Sequence, residues 1–166
     1  MTRITLHRRT LLSSVGALAV SACSPGPADA SERQYADSPF RRLSEAQWRE
    51  RLPTASFNVL RREATERAFS SPLNDEHRRG TFVCRGCDLP LFRSRWKFDS
   101  GTGWPSFYDV IAANIGTKRD FVIGIPRTEY HCARCLGHQG HIFNDGPRPT
   151  GKRYCNNGVA LRFQPA

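Results

Sequence analysis

The sequence contains no block of five or six like charges, and none of its apolar runs reaches the roughly 20 residues needed to span a bilayer. The missing charge blocks matter because the formal net charge is +10, a balance that favours anionic partners. The arginines stand singly or in pairs, so the charge reads as solvated surface. No internal repeat appears beyond two cysteine pairs. From Thr81 onward no long helical period occurs, and neither cysteine pair adjoins a βαβ pattern. What is present is ordinary for one globular domain: 24% charged and 39% hydrophobic residues in 166, enough chain for a core.

The first thirty residues read as a targeting segment. Arg3, Arg8 and Arg9 precede the apolar run Leu11–Val20, and His7-Arg8-Arg9-Thr10-Leu11-Leu12 resembles a twin-arginine export signal. Val20-Ser21-Ala22-Cys23 resembles a lipoprotein processing site, with Cys23 the candidate lipid-anchor position. Ala28-Asp29-Ala30 offers a competing A-x-A cut. Either cut takes the mature chain out of the cytoplasm, to the periplasm or to a membrane facing it. Residues 1–30 are therefore assigned to the signal and the start of a tether, and 31–42 to a flexible linker. Pro, Ser and Ala are frequent across 24–40.

Ser44-Glu45-Ala46-Gln47 has the form of a capping box, with Trp48 and Leu52 on one helix face and Pro53 as a stop. Residues 54–80 read as polar and irregular. Thr81-Phe82-Val83, Phe121-Val122-Ile123-Gly124-Ile125 and Val159-Ala160-Leu161-Arg162-Phe163 read as strands, so the region is mainly β with antiparallel connections.

Cys84-Arg85-Gly86-Cys87 and Cys132-Ala133-Arg134-Cys135 are two C-x-x-C turns with 44 residues between them. Four thiolates on two knuckles suit a closed tetrahedral zinc site. Export also permits a disulfide within each pair, and a redox role for Cys84 and Cys87 is a further reading. Cys155 stands outside both pairs. In a strand from Arg153 to Asn157, Arg153, Cys155 and Asn157 share a face, and a neighbouring cation favours the thiolate. His138, His141 and Asp145 offer proton transfer to such a nucleophile, against the alternative of a structural cysteine beside a Gly-rich turn.

Together these motifs resemble the methionine sulfoxide reductase B family. The likeness runs through Thr65-Glu66-Arg67, both cysteine pairs, Lys97–Phe107, Gly137–Pro147, Arg153–Asn157 and Leu161-Arg162-Phe163. It implies a catalytic domain over 43–166, built as two antiparallel sheets in a tent-like arrangement with short N-terminal helices and a structural zinc. It also implies reduction of the R epimer of methionine sulfoxide in oxidised proteins or peptides, one of two epimer-specific activities that restore methionine. The resemblance places Cys155 as nucleophile and His138, His141, Asp145, Arg153 and Asn157 as polar active-site residues. Trp104 and Phe143 fall at substrate-binding positions, and Cys84, Cys87, Cys132 and Cys135 hold the metal. Many relatives carry a resolving cysteine where this chain has Thr102, so a thioredoxin-like or small-thiol reductant is implied, acting on a monomer. A zinc-ribbon module binding nucleic acid is the competing class; the export signal and the fifth cysteine of the folded region argue against it.

Overall fold

The computed structural model describes residues 27–121 and 124–166. The export motif, Cys23, Val122 and Ile123 lie outside the described residues. Within them, nine strands form two antiparallel sheets, as the resemblance implied. β1 (Gly80–Cys84), β2 (Pro90–Arg93) and β9 (Leu161–Pro165) make a three-stranded sheet in the order β2-β1-β9. The larger sheet runs β3-β4-β8-β7-β6-β5, from β3 (Lys97–Phe98), β4 (Ser106–Phe107), β5 (Ile115–Asp120), β6 (Arg127–Cys132), β7 (His138–Phe143) and β8 (Arg153–Asn156). Large aromatics fill the core. Phe92 stacks on Phe107 with ring centroids 4.1 Å apart, and Phe82 and Tyr130 close on this pair edge-on, all four fully buried.

Three short helices come first. α1 (Pro27–Arg33) precedes α2 (Glu45–Arg51), which opens on the expected capping box: Ser44 Oγ accepts from Gln47 N and Gln47 Oε1 accepts from Ser44 N. Trp48 and Leu52 are buried as their spacing implied. Pro53 ends α2, but it also caps α3 (Thr54–Arg62), where an irregular segment was expected. Ser56, Phe57, Val59 and Leu60 give α3 its buried face, in a run too short and too mixed with arginine to show a period.

The strand expected at 121–125 is corrected, and residues 31–42 are hydrogen-bonded to the body at several points. Ser31 Oγ donates to Ile115 O (2.6 Å), Tyr35 Oη to Asn114 Oδ1 (2.9 Å), and Arg41 to Ala133 O (2.7 Å). Ser31 and Arg41 thus satisfy backbone carbonyls of β5 and of the second cysteine knuckle, while Tyr35 bonds the side chain of Asn114 in the turn before β5. Phe121, Gly124 and Ile125 belong to the β5–β6 connection and not to a strand, and Phe121 and Ile125 project into solvent. Among the described residues no helix is long and apolar enough to cross a membrane.

Candidate active site

Cys155 sits in β8, half-buried, and lines a cleft of about 130 Å³. Thr65, Trp104, Arg127, His141, Phe143 and Asn157 form its walls. β8 pairs with β7 so that His141 lies directly across from Cys155 and Phe143 across from Arg153. Directly opposed residues on one face have Cβ atoms about 4.5–5.5 Å apart, close enough for a thiol and an imidazole to exchange a proton through a bound substrate. Gly140 permits the close approach of the strands, since a Cβ there would run into the Cys155 carbonyl.

His138 and His141 are three apart, which in a regular strand puts them on opposite faces. A bulge in the β6–β7 register, between Tyr130 and His131, removes that alternation. Their rings meet edge-on, with centroids 5.5 Å apart. Each histidine faces its own carboxylate. His141 Nε2 lies 2.6 Å from Asp120 Oδ2, which also takes the Arg127 guanidinium at 2.5 Å. His138 Nδ1 lies 2.9 Å from Glu129 Oε1, and Lys118 holds the other Glu129 oxygen at 3.0 Å. Burial lowers the His141 pKa below its ordinary value; Asp120 pulls the other way, while Arg127 and His138 add to the lowering. His141 therefore stays neutral near pH 7.

Burial also dominates at Cys155, where it pushes the thiol above its ordinary value. Arg153 and a hydrogen bond from Thr102 pull the other way without overcoming it. Arg153 thus favours the thiolate, as its place on the strand implied, while burial works against it. Asp145 explains part of this. It takes the Arg153 guanidinium in two bonds of 2.8 Å and orients neither histidine; Asp120 and Glu129 fill that place. Arg153 also stacks on Phe143, 4.3 Å from the ring centre.

Glu66 organises the opposite wall. Its carbonyl accepts the Trp104 indole N–H (3.1 Å), its amide donates to Asn157 Oδ1 (3.0 Å), and its carboxylate takes the Gly158 and Val159 amides. Asn157 in turn donates to the Gln139 carbonyl from Nδ2 (3.0 Å) and from its backbone (2.9 Å). Asn157 is thus a strut between β7 and the Trp104 wall.

The four paired cysteines form a separate, buried cage. Their Sγ atoms lie within 4.8 Å of one another, with Cys84–Cys135 at 3.6 Å and Cys87–Cys132 at 3.4 Å. Tetrahedral Zn–S bonds of about 2.3 Å put sulfurs about 3.8 Å apart, whereas a disulfide needs about 2.05 Å. All four are free thiols, which rules out a bridge within either pair. The two knuckles repeat one geometry: Asp88 N donates to Cys84 O and Leu136 N to Cys132 O, both at 2.8 Å, and both donors have φ near +60°. The neighbouring thiols drive Cys87 down and raise Cys84, while burial is what chiefly raises Cys132. Such a donor set fits a metal ion. Gln139 joins cage to cleft, donating to Cys84 Sγ (3.4 Å) while its carbonyl receives Asn157.

Residues 52–165, well over half of the chain, match the SelR domain family. The chain belongs to the methionine sulfoxide reductase B family. It is 46% identical over 156 residues to the chloroplastic peptide methionine sulfoxide reductase B1 of Arabidopsis thaliana, covering 93% of this chain and 76% of that protein. Against peptide methionine sulfoxide reductase MsrB of Bradyrhizobium diazoefficiens identity is 51% over 123 residues, covering 74% and 88%. Against the MsrB of Pseudomonas entomophila it is 53% over 120 residues, covering 72% and 92%.

Of the residues the reductase B resemblance singled out, Cys155, His141, Trp104, Phe143 and Asn157 line one cleft. His138, Arg153 and Asp145 stand outside the lining, His138 behind His141 and Asp145 out toward solvent. Sequence reasoning missed Asp120, Arg127, Glu129 and the strut role of Glu66. Their link to the histidines is a matter of strand register, which no local spacing reveals.

Proposed function

We propose that the chain reduces the R epimer of peptide-bound methionine sulfoxide, with Cys155 as nucleophile. The pairing of His141 with Cys155 across β7 and β8, in a cleft walled by Trp104, carries this reading. The Cys155 sulfur attacks the sulfoxide sulfur while the sulfoxide oxygen takes up a proton, and oxygen passes to the enzyme. One thiol and one sulfoxide become one sulfenic acid and one thioether. The raised Cys155 and lowered His141 pKa values suit this order, since the proton leaves the thiol only when the sulfoxide oxygen is present to receive it. Asp120 fixes the imidazole by its Nε2, leaving Nδ1 to exchange protons. Trp104 offers the methyl group an apolar face, which permits one configuration at sulfur.

Regeneration then needs two external thiols, which take the sulfenic oxygen off as water and leave as a disulfide. Thr102 occupies the place beside Cys155 and bonds its thiol, and the other four thiols of the described residues are buried in the cage. A thioredoxin-like protein or a small thiol fits that role. Zinc is the metal that the four-sulfur cage suits best, as a structural ion outside the reaction. The basic, apolar N-terminal segment supports export, with the chain either anchored through Cys23 or cut after Ala30, acting as a monomer.

A reductant-coupled assay on both epimers of a methionine sulfoxide peptide tests the reading. Wild type should turn over the R epimer alone and Cys155→Ser neither. Without reductant, a sulfenate-trapping reagent should mark Cys155 and no intramolecular disulfide should form. Equal rates on both epimers, or a disulfide from Cys155 to a cage cysteine, would overturn the scheme.

A further inference from the structure

Phe69 is the most exposed large apolar side chain among the described residues, at 73%. Its backbone is left-handed, φ 61°, a region unfavourable to a bulky side chain. The loop is nevertheless pinned. Phe69 N donates to Gly103 O (2.7 Å), Asn74 Nδ2 donates to the same carbonyl (3.1 Å), and Ser70 Oγ closes the turn onto Arg67 O (2.5 Å). The ring lies over Gly103, where an added Cβ would come within 2.7 Å of it. An aromatic ring is thus held out of the core by a well-bonded loop.

Phe69 also lines a second cleft. Phe98, Trp104 and Pro105 join it on the apolar side, and polar residues, Asp75, His77 and Asp99 among them, form the rest. Trp104 lines both clefts. Gly103 and Trp104 are adjacent, with Cα atoms about 3.8 Å apart, and an extended peptide advances about 3.3 Å per residue. A chain whose methionine sulfoxide rests against Trp104 therefore reaches Phe69 within one or two residues.

We propose that the cleft between Phe69 and Trp104 is a peptide subsite for a large apolar side chain one or two positions from the methionine sulfoxide. The inference rests on the reductase reading and extends it from the oxidised residue to its neighbours. The occupant is apolar because the exposed Phe69 ring and Trp104 offer it two aromatic faces, while Lys97, among the polar residues of the lining, is already committed to Asn74 O at 2.6 Å. Asp75 and Asp99 in the same lining disfavour an acidic neighbour.

The test compares two blocked peptides of methionine R-sulfoxide, one with leucine at both positions on either side and one with glycine throughout. The metal-loaded mature enzyme should favour the leucine peptide roughly tenfold in kcat/KM, through KM, the scale of one well-covered apolar group. Phe69→Asn removes the ring and suits the left-handed backbone, so the variant folds, and its leucine-to-glycine ratio should fall to about one. Phe69→Tyr should keep the preference. Equal kcat/KM on both peptides in wild type, or a preference that survives Phe69→Asn, overturns the subsite. A lysine-flanked peptide preferred over the leucine one also overturns it, by giving Asp75 and Asp99 the deciding role. N-acetyl-methionine R-sulfoxide separates the two claims: wild-type turnover without any flank effect rejects the subsite alone, whereas no turnover of any substrate rejects the reductase reading.

Discussion

Removing the charge of Arg153 should make Cys155 harder to ionise, and removing that of Asp145 should make it easier. Arg153 lowers the Cys155 pKa by its charge and by a hydrogen bond, whereas Asp145 raises it. A cation within hydrogen-bond reach commonly moves an acid by about 1–3 pKa units. Asp145 offsets part of that from 2.8 Å, though its side chain is 60% exposed and its own effect is screened by water. Arg153→Met should thus raise the Cys155 pKa by about one to two units, leaving roughly tenfold to hundredfold less thiolate at neutral pH. Asp145→Asn frees the guanidinium and should lower it, by about half a unit because of the screening. Iodoacetamide alkylation of Cys155, followed by intact mass from pH 6 to 11 on metal-loaded protein, reads the midpoint directly. Circular dichroism confirms that both variants fold. Two midpoints moving in the same direction, or an unmoved midpoint in Arg153→Met, would refute the electrostatic reasoning.

Three further outcomes follow from the same geometry. Cys132→Ser, or chelation of the metal, should lower Tm by more than about 10 °C, because the cage joins the ends of β1 and β6; calorimetry of Cys155→Ser should show no comparable loss. Glu66→Ala strands the amides of Gly158 and Val159 and should cost about 2–4 kcal/mol in denaturant unfolding, with the metal content unchanged. His141 has a folded pKa below its unfolded value of about 6.5, so the unfolded chain takes the proton first. Its contribution to stability is complete above that pH and declines as pH falls through the folded value. Tm measured from pH 8 to 5 should decline on the acid side, and His141→Gln should flatten the decline.

Local chemistry was legible where neighbours in sequence make the structure. The Ser44–Gln47 capping box, the strand at 81–83 and both C-x-x-C knuckles are of this kind. Leu161–Pro165 was placed two residues early because Gly158–Ala160 form a 3-10 turn before the strand starts. The failures share a cause. The partners of His138 and His141 come from β5 and β6, so they depend on pairing register and on one bulge. Asp145 stands with the two histidines in the sequence as a proton-transfer candidate, yet its carboxylate is taken by Arg153. Residues 31–42 have a tether's composition, and the bonds of Ser31 and Arg41 to distant carbonyls have no trace in it.

That last segment bears on sheet growth. β5 ends the order of the larger sheet, so among the described residues one side of it has no strand partner. Such an edge is a template for another chain unless something covers it. Here α1 and the residues after it do the covering: Ser31 takes the Ile115 carbonyl, Gln34 takes that of Ala113, and Glu32 reaches the space that Gly116 leaves beside His131. All of these lie ahead of residue 52, where the family match begins. A domain trimmed to that match loses this cover along with Trp48, which packs among the cage cysteines, and it offers β5 as an edge for another copy.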